Sequence, residues 1–183
     1  MALFIPVILG TARKGRMSEH AAKFVFEMVK KRAGVETQLI DVRDFGIPAT
    51  DNSETTAEAK NFGELAARAD GLVVVSPEYN HGYPGELKLA LDQVYKQYAK
   101  KPVAICGVSA GGLGGARVVE QLRQVVIELG MLPIRGAVYF SKIGELFDEK
   151  GKMKDPSYDG KVNKLLDELE WHAQALKKER ENR

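Results

Sequence analysis

The sequence predicts an α/β protein, a parallel sheet with helices on both faces. Three observations carry this. Five short apolar runs, rich in valine and isoleucine, are each followed by a segment whose apolar residues recur at helical spacing. Most of the strand runs are nearly continuous rather than alternating, as in strands buried on both faces. Strand and helix then alternate along the whole chain, the pattern of crossover-connected parallel strands.

The elements follow in order. "LFIPVILG", ending at Gly10, is the first strand, and from Ser18 the positions Ala21, Val25, Met28 and Val29 line one face of a helix. "VETQLIDV" is β-branched and partly alternating and forms the second strand. Thr50 to Thr56 is polar and predicts a loop, after which Phe62, Leu65, Ala66 and Ala69 share a helical face. "GLVVVS" is the third strand and central by composition. The next helix begins at Pro84 and carries Leu87, Leu91, Val94, Tyr95 and Tyr98. "PVAICGVS" is the fourth strand, with Val118, Leu122, Val125, Val126 and Leu129 on its helix. "LPIRGAVYF" is the fifth. "FDEKGKMKDPSYDGK" lacks the acid spacing of a calcium loop and reads as a solvated connection. Val162, Leu165, Leu166, Leu169, Ala173 and Leu176 give the last helix. Five strands in this alternation favour the sheet order 2-1-3-4-5.

The bulk properties narrow the function. A chain of 183 residues with 44% apolar content suits one domain over residues 1–183. A net charge of +2 with both signs mixed offers no nucleic-acid stripe. The lone Cys106 precludes an internal disulfide and sits in an apolar strand as inert core. The short N-terminal run lacks the basic region and cleavage site of a secretory signal, and no run reaches the ~20 apolar residues of a membrane helix. A soluble, cytoplasmic protein is expected.

In an open parallel sheet of order 2-1-3-4-5, ligands sit beyond the carboxyl ends of strands one and three. The loops that meet there are "GTARKGRMS", "PEYNHGYP" and, flanking them, "SAGGLGG". In the first, Thr11 and Ser18 offer hydroxyls, Arg13 and Arg16 offer guanidinium forks, and the following helix offers its N-terminal amides. No acid intervenes before Glu19. Phosphate binding is the functional reading, and a solvated basic loop with Ser18 as an ordinary N-cap is the structural one. The loop is neither GxxxxGK[ST] nor GxGxxG.

In the second loop Pro77 ends the strand and Pro84 suits a first helical turn. Backbone groups left unpaired between them could serve the polar edge of a flat heteroaromatic ring, with Tyr79 and Tyr83 as apolar walls. Alternatively, Glu78 and Asn80 cap the turn. His81 is a packing or hydrogen-bonding residue, and Glu86 and Lys88 are solvated or paired locally. In the third loop the glycines at 111, 112, 114 and 115 permit close approach to a planar ring, or serve as a flexible joint. Arg117, a cation in a helix's first turn, implies a partner, either an acid such as Glu120 or a subunit contact.

These three segments, "GTARKGR", "SPEYNHGYPGELKLALD" and "SAGGLGGAR", together resemble the NADPH-dependent FMN reductase family over roughly Phe4 to Phe140. Thr11 stands where that family typically has serine, and Leu89 where it often has asparagine. The resemblance implies a flavodoxin-like three-layer sandwich with a five-stranded parallel sheet. It implies FMN, with its phosphate on Thr11, Arg13, Arg16, Met17 and Ser18. The isoalloxazine would rest against Pro77, Glu78, Tyr79 and Asn80, with Ser109, Gly111 and Gly112 on its other polar edge.

Hydride would pass from NADPH or NADH to flavin N5 and then to a quinone-like, azo, flavin or metal-oxyanion acceptor by ping-pong. No protein side chain is assigned as catalytic and no metal is expected. Partners implied are the small-molecule acceptor and a second copy of the chain, as homodimer or homotetramer, with Tyr83, Tyr95 and Tyr98 as interface aromatics; for Tyr95, core packing is the simpler role. A flavodoxin-type electron carrier is the alternative. Such carriers are typically acidic, whereas this chain is mildly basic. A phosphoacceptor receiver would need an aspartate ending strand three, where Val75-Ser76 stands. For a Rossmann dehydrogenase the fingerprint glycines are missing, which leaves Asp41 a surface or loop-capping acid.

Overall fold

The computed structural model describes residues 2–47 and 56–182; the expected loop Thr50–Thr56 lies outside them except for Thr56, which caps the helix that follows. In chain order the elements are β1 (Leu3–Phe4), β2 (Val7–Leu9), α1 (Ser18–Lys30), β3 (Val35–Glu36), β4 (Leu39–Asp41), α2 (Val42–Phe45), α3 (Ala57–Arg68) and β5 (Leu72–Pro77). There follow α4 (Gly85–Leu91), a 3-10 turn (Lys96–Tyr98), β6 (Pro102–Val108), α5 (Ala116–Glu128), β7 (Leu132–Phe140), α6 (Ile143–Leu146) and α7 (Ser157–Glu181).

The main sheet is parallel throughout, in the order β4-β2-β5-β6-β7. Numbered by predicted strands, this is 2-1-3-4-5. The first and second predicted strands are each split in two, yet their pairing is continuous. Leu3, Ile5 and Val7 donate in turn to Gly34, Glu36 and Gln38, each at 2.9 Å. Pro6 is tolerated inside this strand because alternate residues face the opposite neighbour. Its missing donor falls on that side, where its carbonyl accepts Val73 N at 3.0 Å.

Period-2 alternation divides the core into two layers. Val73, Val75, Ala104 and Cys106 pack under α1 and α7, while Leu72, Val74, Val103 and Ile105 pack under α3, α4 and α5. Helices therefore cover both faces. The β2–β5 pair ends with Leu9 opposite Val75. The chain then leaves the sheet on both sides at one point, which brings the first two loops together. Among the described residues no helix is long and apolar enough to cross a membrane.

Three expectations need correction. The helix after β5 stops at Leu91, because Gln93 turns its side-chain amide onto the Leu89 carbonyl at 2.9 Å and takes over a helix-end acceptor. Tyr95, beyond that stop, is 59% exposed and so does not pack in the core, whereas Tyr98 is fully buried and so is no interface aromatic. The stretch 147–161 is folded rather than merely solvated. Phe147 and Tyr158 are buried, Phe147 bridges to Met153, and the Asp148 carboxylate takes the amides of Lys150 and Lys152.

The edge strand β7 would expose unpaired backbone, and side chains seal part of it. Where its register slips against β6, Glu168 of α7 accepts Arg135 N at 3.0 Å and Gly136 N at 3.1 Å, and Arg123 caps the Arg135 carbonyl at 2.7 Å. Glu168→Ala is expected to cost about 1–2 kcal/mol in urea unfolding, and Glu168→Gln, which keeps an acceptor, to recover most of it. Equal losses in both variants would contradict this sealing role.

Candidate functional site

The carboxyl ends of β2, β5 and β6 open on a cleft of about 310 Å³. A larger groove of about 440 Å³ lies elsewhere, lined wholly by α3 and residues 93–97. The smaller cleft is the better candidate because it sits at the switch point of the sheet, where three loops converge.

The first loop supplies one wall. Arg13, Gly15, Met17 and Ser18 line the cleft. Arg13 is exposed, lies 5.8 Å from the centre of the Tyr79 ring, and makes no ion pair among the described residues. Ser18 is not the N-cap of α1; that position belongs to Met17, and Ser18 is the first helical residue. Its hydroxyl is buried and finds no hydrogen-bond partner among the described residues. A buried hydroxyl with no acceptor at a helix start is an incomplete polar site, even though the neighbouring Glu19 and His20 amides bond Arg16 O at 3.4 Å and Met17 O at 3.2 Å.

Arg16 departs from expectation. It borders the cleft, but its side chain is 1% exposed and its guanidinium points inward. There it forms a two-pronged pair with Asp41, bonds the Thr11 carbonyl, and reaches Glu19. All its donors are therefore committed, and it acts as a strut for the loop rather than a free phosphate fork. Asp41 does cap a helix, accepting Arg43 N at 3.0 Å at the start of α2. It is buried rather than on the surface, and its oxygens are too occupied to serve a ribose. Burial works against the Asp41 charge, and the bond to Arg16 with those to Arg43 outweighs it, so its carboxyl titrates below the usual range.

Thr11 is likewise committed. It is fully buried behind the cleft, donates to Glu86 Oε1 at 3.0 Å, and is reached by the Tyr79 hydroxyl at 3.2 Å. The same Glu86 oxygen takes the Ala12 amide at 3.0 Å. Glu86 is thus bound across the loops, not solvated, whereas Lys88 pairs locally with Asp92 as expected. Partial burial disfavours the Glu86 charge, and bonds from its own amide, Ala12 and Thr11 prevail, which lowers its pKa.

The second loop is more ordered than its composition implies. Glu78 N donates to Val108 O, and Tyr79 and Gly82 exchange amide-to-carbonyl bonds at 2.9 Å in both directions. This is a two-residue hairpin with Asn80 (φ 49°) and His81 (φ 68°) both left-handed at its tip. The expected row of unpaired backbone groups shrinks to that tip. Pro77, Glu78 and Tyr79 line the cleft, while Asn80 is exposed on the rim.

Glu78 answers the question of Arg117. The helix α5 begins after Gly115, which has no capping side chain. Glu78 caps it from the other loop, accepting Arg117 N at 3.1 Å, Val118 N at 3.4 Å and Arg117 Nε at 2.7 Å. Glu120 pairs instead with Arg123.

In the third loop the glycines divide by cause. A Cβ on Gly115, at φ +82°, would lie 2.6 Å from Val108 N, so the loop can seat on β6 only with glycine there. Gly111 and Gly112 face open space, and nothing in the fold requires glycine at either. Both are exposed on the rim, and Ser109 lines the cleft with its hydroxyl on Gly111 O at 3.0 Å. Val108, Ala110 and Ile143 complete the apolar lining. Ile143 was invisible in the sequence because the short α6 that carries it sits in a segment that reads as loop.

Residues 4–145 match the model of the family described as NADPH-dependent FMN reductase. An NAD(P)H-dependent FMN reductase of Schizosaccharomyces pombe is 36% identical over 142 residues, 73% of this chain and 68% of that protein. A quinone reductase of Pseudomonas putida is 29% identical over 159 residues, covering 82% and 84% of the two chains. The solved structure of FerB, a flavoenzyme NAD(P)H:(acceptor) oxidoreductase from Paracoccus denitrificans, shares the fold. Its TM-score is 0.79 at 22% identity over 93% of this chain and 99% of that one.

Arg16→Met is expected to cost about 3 kcal/mol at pH 7, because it strands the buried Asp41 charge. In the native protein the folded Asp41 pKa lies below its unfolded value of about 3.9, so its contribution is whole above that value and is lost as the pH falls through the folded one. In the variant the stranded carboxylate is relieved by protonation, so its deficit shrinks as the pH falls toward 4. Denaturant unfolding at pH 7 and pH 4 reads both effects, and a deficit independent of pH would contradict the pairing.

Proposed function

The chain belongs to the NADPH-dependent FMN reductase family, and on that premise we propose that the switch-point cleft holds FMN and serves reduction of a quinone-like acceptor. The observation that carries the assignment is the buried Ser18 hydroxyl, without a partner among the described residues, in a residue that lines the same cleft as Arg13. A monophosphate supplies the acceptor that hydroxyl lacks and the charge that Arg13 and the positive end of α1 attract. Arg13, Met17 and Ser18 would hold the phosphate. Pro77, Glu78 and Tyr79 would form one side of the ring site and Ser109 with Ala110 the other, while Gly111, Gly112 and Asn80 leave the rim open.

FMN held there would supply the redox chemistry, hydride transfer from NAD(P)H and electron transfer to the second substrate. The protein's part is binding and orientation. Tyr79 and Val108 exclude water from the cleft walls, and the exposed rim leaves room for nicotinamide and acceptor to use one face in turn, as ping-pong turnover requires. A quinone acceptor draws support from the quinone reductase among the relatives. The electron-carrier alternative gives way to the family match, and the mild positive charge agrees with that. We place residues 1–183 in one cytoplasmic reductase domain that assembles as a homodimer or homotetramer, for which the exposed Tyr95 and Leu113 are available contacts.

The purified protein, supplied with FMN under anaerobic conditions, is expected to lose its visible flavin absorbance on addition of NADPH and regain it on addition of a quinone. Arg13→Ala is expected to weaken FMN binding about tenfold, the loss of one charged hydrogen-bonding partner. A protein that retains no flavin once unbound FMN is removed, or an Arg13→Ala variant with unaltered affinity, would refute the assignment.

A further inference from the structure

Glu86 belongs to the first turn of α4, yet its carboxylate serves the first loop, some 75 residues away in sequence. It is an acceptor only, so the Thr11 hydroxyl must donate its single proton to it. Thr11 Oγ1 then meets its other neighbours as an acceptor, from the Tyr79 hydroxyl at 3.2 Å and the Arg13 amide at 3.3 Å. Thr11 has no donor left for a ligand, and no solvent reaches it. One hydrogen-bonded chain thus runs from α4 through the phosphate loop to the hairpin that walls the cleft.

We propose that Glu86 is a positioning residue for flavin phosphate binding. From behind the loop it fixes residues 11–13, so that Arg13 faces the cleft, and through Thr11 it holds the Tyr79 ring in place. The inference rests on the reading of the cleft as an FMN site. The opposite role, a carboxylate that plugs the phosphate site, fits the geometry less well. Glu86 does not line the cleft, and neither do Thr11 and Ala12, which it holds.

FMN and riboflavin are titrated separately, by flavin fluorescence, into wild type, Glu86→Ala, Glu86→Gln, Thr11→Val and the Glu86→Ala/Thr11→Val double variant. Glu86→Ala is expected to weaken FMN binding about tenfold and riboflavin, which has no phosphate, by less. Glu86→Gln keeps an acceptor oxygen and stays within about threefold of wild type. The double variant binds FMN no more weakly than Glu86→Ala alone, since both changes break one chain. Unchanged or tighter FMN binding by Glu86→Ala, or losses that multiply in the double variant, overturns the proposal. If Glu86→Ala fails to fold, Thr11→Val carries the same expectation for FMN against riboflavin. A wild type that binds no FMN overturns the cleft assignment together with this one, whereas a wild type that binds it and variants that match overturn this one alone.

Discussion

A parallel sheet delivers its connecting loops to one edge with backbone donors that no strand can satisfy, and here carboxylates take up several of those donors. Asp41, at the end of β4, holds Arg16 of the first loop. Glu86, at the start of α4, holds Thr11 and Ala12 of the same loop. Glu78, beyond β5, holds the first amides of α5. Each tie joins segments far apart in sequence, so the cleft is assembled by acids reaching between loops rather than by any single loop folding on itself.

This arrangement decides what is left for a ligand. Three acids near an anion site would repel it if they were free. Asp41 is paired with Arg16 and Arg43, Glu78 with Arg117, and Glu86 is held by the Thr11 hydroxyl and the Ala12 amide. Among the described residues, Arg13 and the Ser18 hydroxyl on the first loop remain uncommitted, and with the positive end of α1 they favour a phosphate. Because the surrounding loops are already bonded, little further ordering accompanies binding, which is how a pre-formed site gains affinity. The apolar lining and the open rim suit a flat cofactor that is gripped along its edges and used from one face.

Much of this was legible in the sequence, and the reasons differ by residue. The five strands and their order followed from apolar runs and alternation, since burial on both faces writes itself into composition. The three loops were found because topology points to them. What the sequence did not show was how polar side chains would pair across loops. Arg16 reads as a phosphate fork because its partner Asp41 lies 25 residues on, at the end of another strand. Glu86 reads as a solvated helix residue because Thr11 and Ala12 lie far back in the chain. Arg117 did signal an acid, since a cation at a helix start is out of place, but the acid is Glu78 rather than a neighbour on its own helix. Pairings of this kind depend on register and loop path, which local pattern does not encode.

The central claim is that the cleft proposed for FMN is built without it. Amide hydrogen exchange at Ala12, Arg117 and Val118 in protein stripped of flavin tests it most directly, because each of these amides is bonded to a carboxylate of a different segment. The account predicts slow exchange at all three, little changed when FMN is added. Exchange at the rate of an open loop, slowing only once FMN binds, would contradict it.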